Sequence, residues 1–178
     1  MQEEHPYSEF EAGDEKTIFR YPQWSDLDAF IEMHQTLKRE KVMARRLDMD
    51  RTSGGRYLAE ILVNLEEGRQ SYLLVERGGK LVGEGFTKKT GHRYFSIGLA
   101  LVSDARGIGI GTKLMWALEK ESKRFGATGL YLSVWSENPS AVHVYEKVGY
   151  KEIGRRPDWV LMDSGEECDL IEMVKRIE

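Results

Sequence analysis

The sequence predicts a mixed α/β domain of the α+β kind, and three observations predict it. Between residues 27 and 65 apolar side chains recur at helical spacing. From residue 70 the apolar period changes to two, with Arg77-Gly78-Gly79 set as a hairpin turn between two apolar-rich runs. At 99–119 an apolar run stops at a polar break, glycines stand at every second position, and apolar residues return on one helix face. With 178 residues, 40% hydrophobic and 31% charged, the chain suits one domain with a real core. No apolar run reaches the length of a membrane span, and Met1-Gln2-Glu3-Glu4-His5 is acidic where a signal peptide is basic and then apolar, so the expected place is the cytoplasm. A net charge of −4 gives no case for nucleic-acid binding. The single cysteine, Cys168, excludes an internal disulfide and has no His/Cys cluster near it, so no metal is expected.

Taken in order, residues 1–15 are polar and acidic with little periodicity. They read as a loosely ordered leader, so that the folded domain spans 16–178. Residues 16–21 alternate as a strand. Ser25-Asp26-Leu27-Asp28 offers a helix N-cap with acids in the first turn; the helix that follows carries Leu27, Phe30, Ile31, His34 and Leu37 on one face, where His34 reads as a packed or rim residue. Residues 38–56 are basic, with Lys38, Arg39, Lys41, Arg45, Arg46, Arg51 and Arg56, and read as a solvated helix face and loop. A second helix spans 57–67 on Leu58, Ile61, Leu62 and Leu65 and ends at Gly68. Strands follow at 70–76, 80–87 and 93–102, the last after a turn at Gly91. The long helix beyond the glycines closes near Gly126, and a strand at 129–135 precedes a short helix. Its limits are set by Asn138 as N-cap, Pro139 at the first position and Gly149 just past the end. Residues 150–155 and 168–175 close as a strand pair around Asp163-Ser164-Gly165, in an acid-rich loop with Asp158, Glu166 and Glu167.

The glycine run is Arg106-Gly107-Ile108-Gly109-Ile110-Gly111-Thr112. Without Cβ atoms, successive N–H groups can point into one concavity at the positive end of the helix dipole, which suits a phosphate. The spacing excludes the Walker loop, because no Gly-Lys-Ser/Thr triplet exists. It also excludes the dinucleotide pattern, whose third glycine would fall on Thr112 or Leu114. Arg106-x-x-Gly109-x-Gly111 resembles instead the acetyl-coenzyme A loop of the GNAT superfamily of N-acetyltransferases. The run from Asn138 through Ala141 and Tyr145 to Gly149-Tyr150 resembles the same superfamily's downstream pattern, and at about 100° per residue Asn138, Ala141 and Tyr145 share one helix face.

The resemblance covers roughly residues 16–177 and implies the GNAT fold: a mixed, mostly antiparallel sheet of 6–7 strands with about four helices, splayed between the fourth and fifth family strands, here 93–102 and 129–135. It implies acetyl-CoA as co-substrate and no metal. The pyrophosphate would lie on the amides of Gly107, Ile108, Gly109, Ile110, Gly111 and Thr112, with Arg106 also binding the coenzyme, and the pantetheine arm on backbone groups of Leu99, Ala100 and Leu101. Asn138 would brace the arm or the helix start. Tyr145, beside the coenzyme, would be the general acid for the leaving thiolate, since a phenol at about 10 lies near a thiol at about 8.5. The implied reaction is direct attack of a primary amine on the thioester, the amine being a protein or peptide N-terminus or a small molecule such as a polyamine or amino acid. The enzyme would work as a monomer or homodimer. The other reading of the same fold is a catalytically silent coenzyme A-binding sensor. Where many relatives carry a glutamate base, this chain has Ser96 and Ser133; Glu84 and Glu137 are the other carboxylates in reach, and both read as solvated. An α-amine at about 7.7 needs less help to become neutral than a lysine-like amine at about 10.4, so the missing glutamates lean toward an α-amine or a water-relayed base.

Overall fold

Tyr72 and Leu74 turn to one face of a strand and Leu73 and Val75 to the other, and all four are buried, so this strand is covered on both sides. In the computed structural model, which describes residues 7–41, 49–91, 93–162 and 165–177, it is the third strand in chain order. The strands are β1 (Ser8–Ala12), β2 (Glu15–Arg20), β3 (Gln70–Arg77), β4 (Lys80–Lys89), β5 (Tyr94–Leu101), β6 (Gly129–Trp135), β7 (Lys151–Leu161) and β8 (Glu167–Arg176). The helices are α1 (Leu27–Arg39), α2 (Arg51–Glu66), α3 (Ile110–Arg124) and α4 (Pro139–Lys147). The strands form one sheet in the order β1-β2-β3-β4-β5-β6-β8-β7, antiparallel throughout except at β5 and β6, which α3 joins by a crossover. α1 and α2 bring Phe30, Leu37, Leu58 and Ile61 onto the Tyr72 face, while α3 and α4 bring Ile110, Leu114, Leu118 and Tyr145 onto the Leu73 face. No helix among the described residues is long and apolar enough to cross a membrane.

The sheet has eight strands where 6–7 were expected. The additional strand is β1, which lies inside the stretch read as a leader, residues 1–15, of which 1–6 fall outside the described residues. β1 sits at the sheet edge, so its outward Glu9 and Glu11 mask the period. Phe10 nevertheless packs on Phe19 with ring centroids 5.0 Å apart. α2 starts at Arg51, six residues earlier than the periodicity suggested, because Asp50 accepts the Ser53 amide at 2.7 Å and Ser53 Oγ accepts the Asp50 amide at 3.0 Å. Residues 51–56 carry no apolar side chain, so periodicity alone starts the helix at Tyr57. Gly54 is where α1 comes close, since a Cβ on it would lie 2.6 Å from Ile31 Cγ1. Asp26 does not cap α1. Its carboxylate accepts the Gln23 amide at 2.7 Å and the Arg20 guanidinium at 2.8 Å, fixing a 3-10 turn that leads into the helix. β7 runs to Leu161 rather than 155: as an edge strand it tolerates Pro157, with register shifts between Glu152 and Gly154 and, across Pro157, between Arg156 and Val160.

One polar cluster ties the first helix-bearing layer of the α3 side to the sheet. Glu121 of α3 is 1% exposed and accepts from Tyr21 Oη at 2.7 Å, Ser71 Oγ at 2.8 Å and Arg124 at 2.7 Å. Glu121→Ala strands the buried Ser71 hydroxyl and removes charged hydrogen bonds. The expected loss is at least about 2 kcal/mol, read as a lower urea midpoint at unchanged slope.

Candidate active site

β5 and β6 pair only at Tyr94↔Gly129, Phe95↔Leu130 and Ser96↔Tyr131. β6 continues to Trp135 on the β8 side, and β5 continues to Leu101 on the β4 side, so the two facing edges part beyond Ser96. Val102 N–H donates to Val82 O at 2.9 Å, and in an antiparallel ladder the orientation alternates from there. Gly98 and Ala100 therefore turn their backbone groups to β4, and Leu99 and Leu101 turn theirs to the gap. This corrects the expectation for Ala100, whose contribution is a small side chain opposite Glu84. The Leu101 carbonyl already accepts Arg106 Nε at 2.8 Å, which leaves its N–H for the gap.

The glycine loop lies at the start of α3. Gly107 and Gly109 have φ of +74° and +87°, and a Cβ on either would meet no atom within 4 Å. Gly109 is the N-cap residue and has no side chain to cap with, so the first amides of α3 stay open in the concavity. Ile108 is exposed and Ile110 is buried in the core, which anchors the loop from below. Thr112 is half-buried in the first turn. The Arg106 side chain does not reach into the concavity: it bonds the Leu101 carbonyl and pairs with Glu40 at the end of α1, where Glu40 also accepts the Ser103 amide at 2.8 Å. Arg106 thus positions the loop.

Asn138 Oδ1 accepts the Ala141 amide at 3.2 Å, so this side chain serves the helix start. One face on, Tyr145 is 9% exposed, its ring 6.0 Å from that of Tyr150, and its hydroxyl makes no hydrogen bond among the described residues. Burial pushes the Tyr145 phenol up to about 12. The same holds for Tyr7 and Tyr21, pushed to about 12 by burial and then by Glu121. For these phenols folding favours the neutral form, so their contribution is whole below the ordinary value near 10 and is lost as pH rises through about 12. The expected result is a denaturation midpoint that falls between pH 10 and 12, with a shallower fall in Tyr21→Phe.

A sequence model of the acetyltransferase (GNAT) family matches residues 29–150, from α1 to the residue after Gly149. The chain belongs to this family. It is 30% identical over 106 residues to an N-alpha-acetyltransferase of Sulfurisphaera tokodaii, an alignment that covers 51% of this chain and 62% of that relative, less than two thirds of its length. Its fold is that of a GNAT acetyltransferase from Streptococcus pneumoniae, with a TM-score of 0.79 at 18% identity, covering 90% of this chain and 99% of the other. YncA, a putative acetyltransferase from Salmonella typhimurium solved with its cofactor acetyl-CoA, gives 0.78 at 17% identity, covering 91% and 94%.

In this GNAT chain a cavity of about 480 Å³ opens on the α1/α2 face, walled by His34, Tyr57, Ile61, Tyr72 and Phe86. Phe86 stands opposite Gly98 and Lys88, also at the wall, opposite Ser96, so the β4 wall of the cavity is the strand next to the part of β5 where β6 departs. Of the basic segment, Lys38 and Arg56 border it; Arg45 and Arg46 lie outside the described residues, as do Asp163 and Ser164 of the acidic loop. Ser96 donates to Lys88 O at 3.3 Å, Ser133 donates to Glu172 at 2.8 Å, and Glu137 is exposed. Glu84, read as solvated, is 2% exposed and bonded to the Tyr72 hydroxyl. Alternation along 80–87 places Glu84 on the same face as Phe86, which was the available signal; the apolar partners around it come from α1 and β3, out of reach of local pattern. No group of three or more His, Cys, Asp or Glu side chains arranged for a metal occurs among the described residues.

Proposed function

We propose that the chain transfers the acetyl group of acetyl-CoA to a primary amine. The reading rests on one juxtaposition: the parted edges of β5 and β6 lead into the open amides of the α3 loop, and the cavity under α1 and α2 lies over the neighbouring strands β3 and β4. From Leu101 to Ser96 the edge of β5 spans roughly 16 Å at about 3.3 Å per residue, the length along which an extended donor arm is held. The groups present fit that donor. The amides at 109–112 suit the pyrophosphate, and the gap-facing groups of Leu99 and the Leu101 N–H, without a strand partner on that side, suit the arm's amides. YncA's acetyl-CoA supports the donor, and the Sulfurisphaera relative's name supports an α-amine acceptor.

In this reading the Leu101 N–H faces charge developing on the thioester oxygen, and the amine approaches from the cavity, whose volume of about 480 Å³ suits a small amine or the first residues of a peptide. Tyr145 gives a proton to the departing sulfur. From a phenol at about 12 to a thiol at about 8.5 that transfer is uphill by roughly 5 kcal/mol alone, so it is coupled to the loss of the amine's proton. The test is thiol release from acetyl-CoA across a panel of amino acids, short peptides and polyamines, with acetylated products identified by mass. Amine-dependent release is expected, greatest for an α-amine. Tight coenzyme A binding with no transfer to any member would select the silent sensor instead.

A further inference from the structure

Glu84 carries a carboxylate that is 2% exposed on the sheet face covered by α1 and α2. Taking an ionised carboxylate out of water costs several kcal/mol, and a fold alone fills such a position with an apolar side chain more favourably. Its Oε2 accepts the Tyr72 hydroxyl and stands 2.9 Å from Nε2 of His34, itself 5% exposed. His34 makes this approach without the alignment of a hydrogen bond, the loose geometry that catalytic pairs show before substrate tightens them. His34 and Tyr72 also line the cavity, and Glu84 faces Ala100 across the ladder, next to the Leu101 N–H.

We infer that His34 is the base that takes a proton from the acceptor's ammonium, with Glu84 orienting the ring and balancing the charge it gains. This rests on the N-acetyltransferase reading above. A proton on Nε2, toward the carboxylate, leaves the Nδ1 lone pair for a cavity ligand. One N–H bond of the ammonium breaks and an N–H bond forms on the imidazole. The nitrogen's freed pair forms the C–N bond to the acetyl carbon as the C–S bond breaks, the sulfur takes the Tyr145 proton, and Tyr145 regains the second amine proton. The third stays on the amide product, and the imidazolium releases its proton to solvent through the cavity.

The neighbours of the ring fit this cycle. Tyr57 of α2 meets it edge-on at 5.8 Å, and Tyr72 of β3 holds the carboxylate behind it. Lys38 of α1, Arg56 and Glu60 of α2, and Lys88 of β4 border the same cavity, and Glu84 is the carboxylate beside the ring when it takes up the proton. A merely packed histidine needs neither the cavity nor the carboxylate.

The test is His34→Gln, assayed between pH 6.5 and 9.5 with acetyl-CoA and whichever panel amine the wild type acetylates best. The variant is expected to melt near the wild type and bind coenzyme A within about twofold. Its kcat/KM should be lower by about 10²-fold at pH 6.5, shrinking to about threefold at pH 9.5, where an α-amine already arrives neutral. Should Gln at position 34 prevent folding, Glu84→Gln, which keeps an acceptor for Tyr72 and removes the charge, is expected to give the same pH-dependent deficit. A deficit under threefold at pH 6.5, or one equal at every pH, overturns the inference while leaving the transferase reading standing. Wild-type protein that acetylates no amine overturns both.

Discussion

Tyr145→Phe is expected to lower kcat by about 10²-fold while the KM for acetyl-CoA and the melting temperature stay near wild type. The structure separates these effects cleanly. The ring is packed in the α3/α4 core beside Tyr150, and the phenylalanine keeps all of that packing. The hydroxyl bonds nothing among the described residues, so removing it orphans no partner. What remains is its proton. Because burial holds the phenol up to about 12, it is protonated at every pH at which the enzyme is assayed. The variant's deficit should therefore be flat with pH, in contrast to the pH-dependent deficit expected at His34. It should also shrink with an acetyl thioester of a low-pKa thiol, whose sulfur leaves without a proton. Full activity in Tyr145→Phe would return the residue to packing alone and leave water as the proton source.

Gly109→Val is expected to weaken coenzyme A binding by about 10- to 100-fold, measured by calorimetry. At φ +87° a β-branched residue is strained by its own backbone, although no neighbour crowds the site. Relief of that strain turns the peptide and withdraws one or two amides from the concavity, each worth about 1.5–3 kcal/mol toward a charged group. Gly111 is the contrast. It lacks a positive φ, and its added Cβ would make an ordinary 3.6 Å contact with Leu101 Cδ1, so Gly111→Ala should fold as the wild type does. If both variants bind coenzyme A normally, the amides of this loop are not the cradle.

Much of the fold was legible because its signals are local. The hairpin at Arg77-Gly78-Gly79, strand 129–135 and the helix from Asn138 to Gly149 appear at the residues expected, since turn glycines, an N-cap and Pro at N1 act over a few positions. The two misread strands share a cause. β1 is polar because it is an edge, and β7 carries Pro157 and Gly154 for the same reason; neither needs a continuous apolar face. α2 reads short because residues 51–56 offer no apolar period, whereas in the fold Gly54 admits Ile31.

By itself the sequence determined the strand, glycine loop and helix at 99–119, the second motif at 138–150 and, through them, the family, because each is a short run whose spacing carries its meaning. Only the tertiary structure decided which groups face one another. The parity of the β4–β5 ladder chose Leu99 and Leu101 over Ala100 for the gap. Bonds to Leu101 and Glu40 set the Arg106 side chain as a support of the loop, and the bond to Ala141 sets Asn138 at the helix start, one of the two roles expected for it. His34 and Glu84 read separately as a packed or rim histidine and a solvated glutamate because forty-nine residues lie between them. They meet only after α1 folds across β4, which buries both side chains where no local pattern reports it.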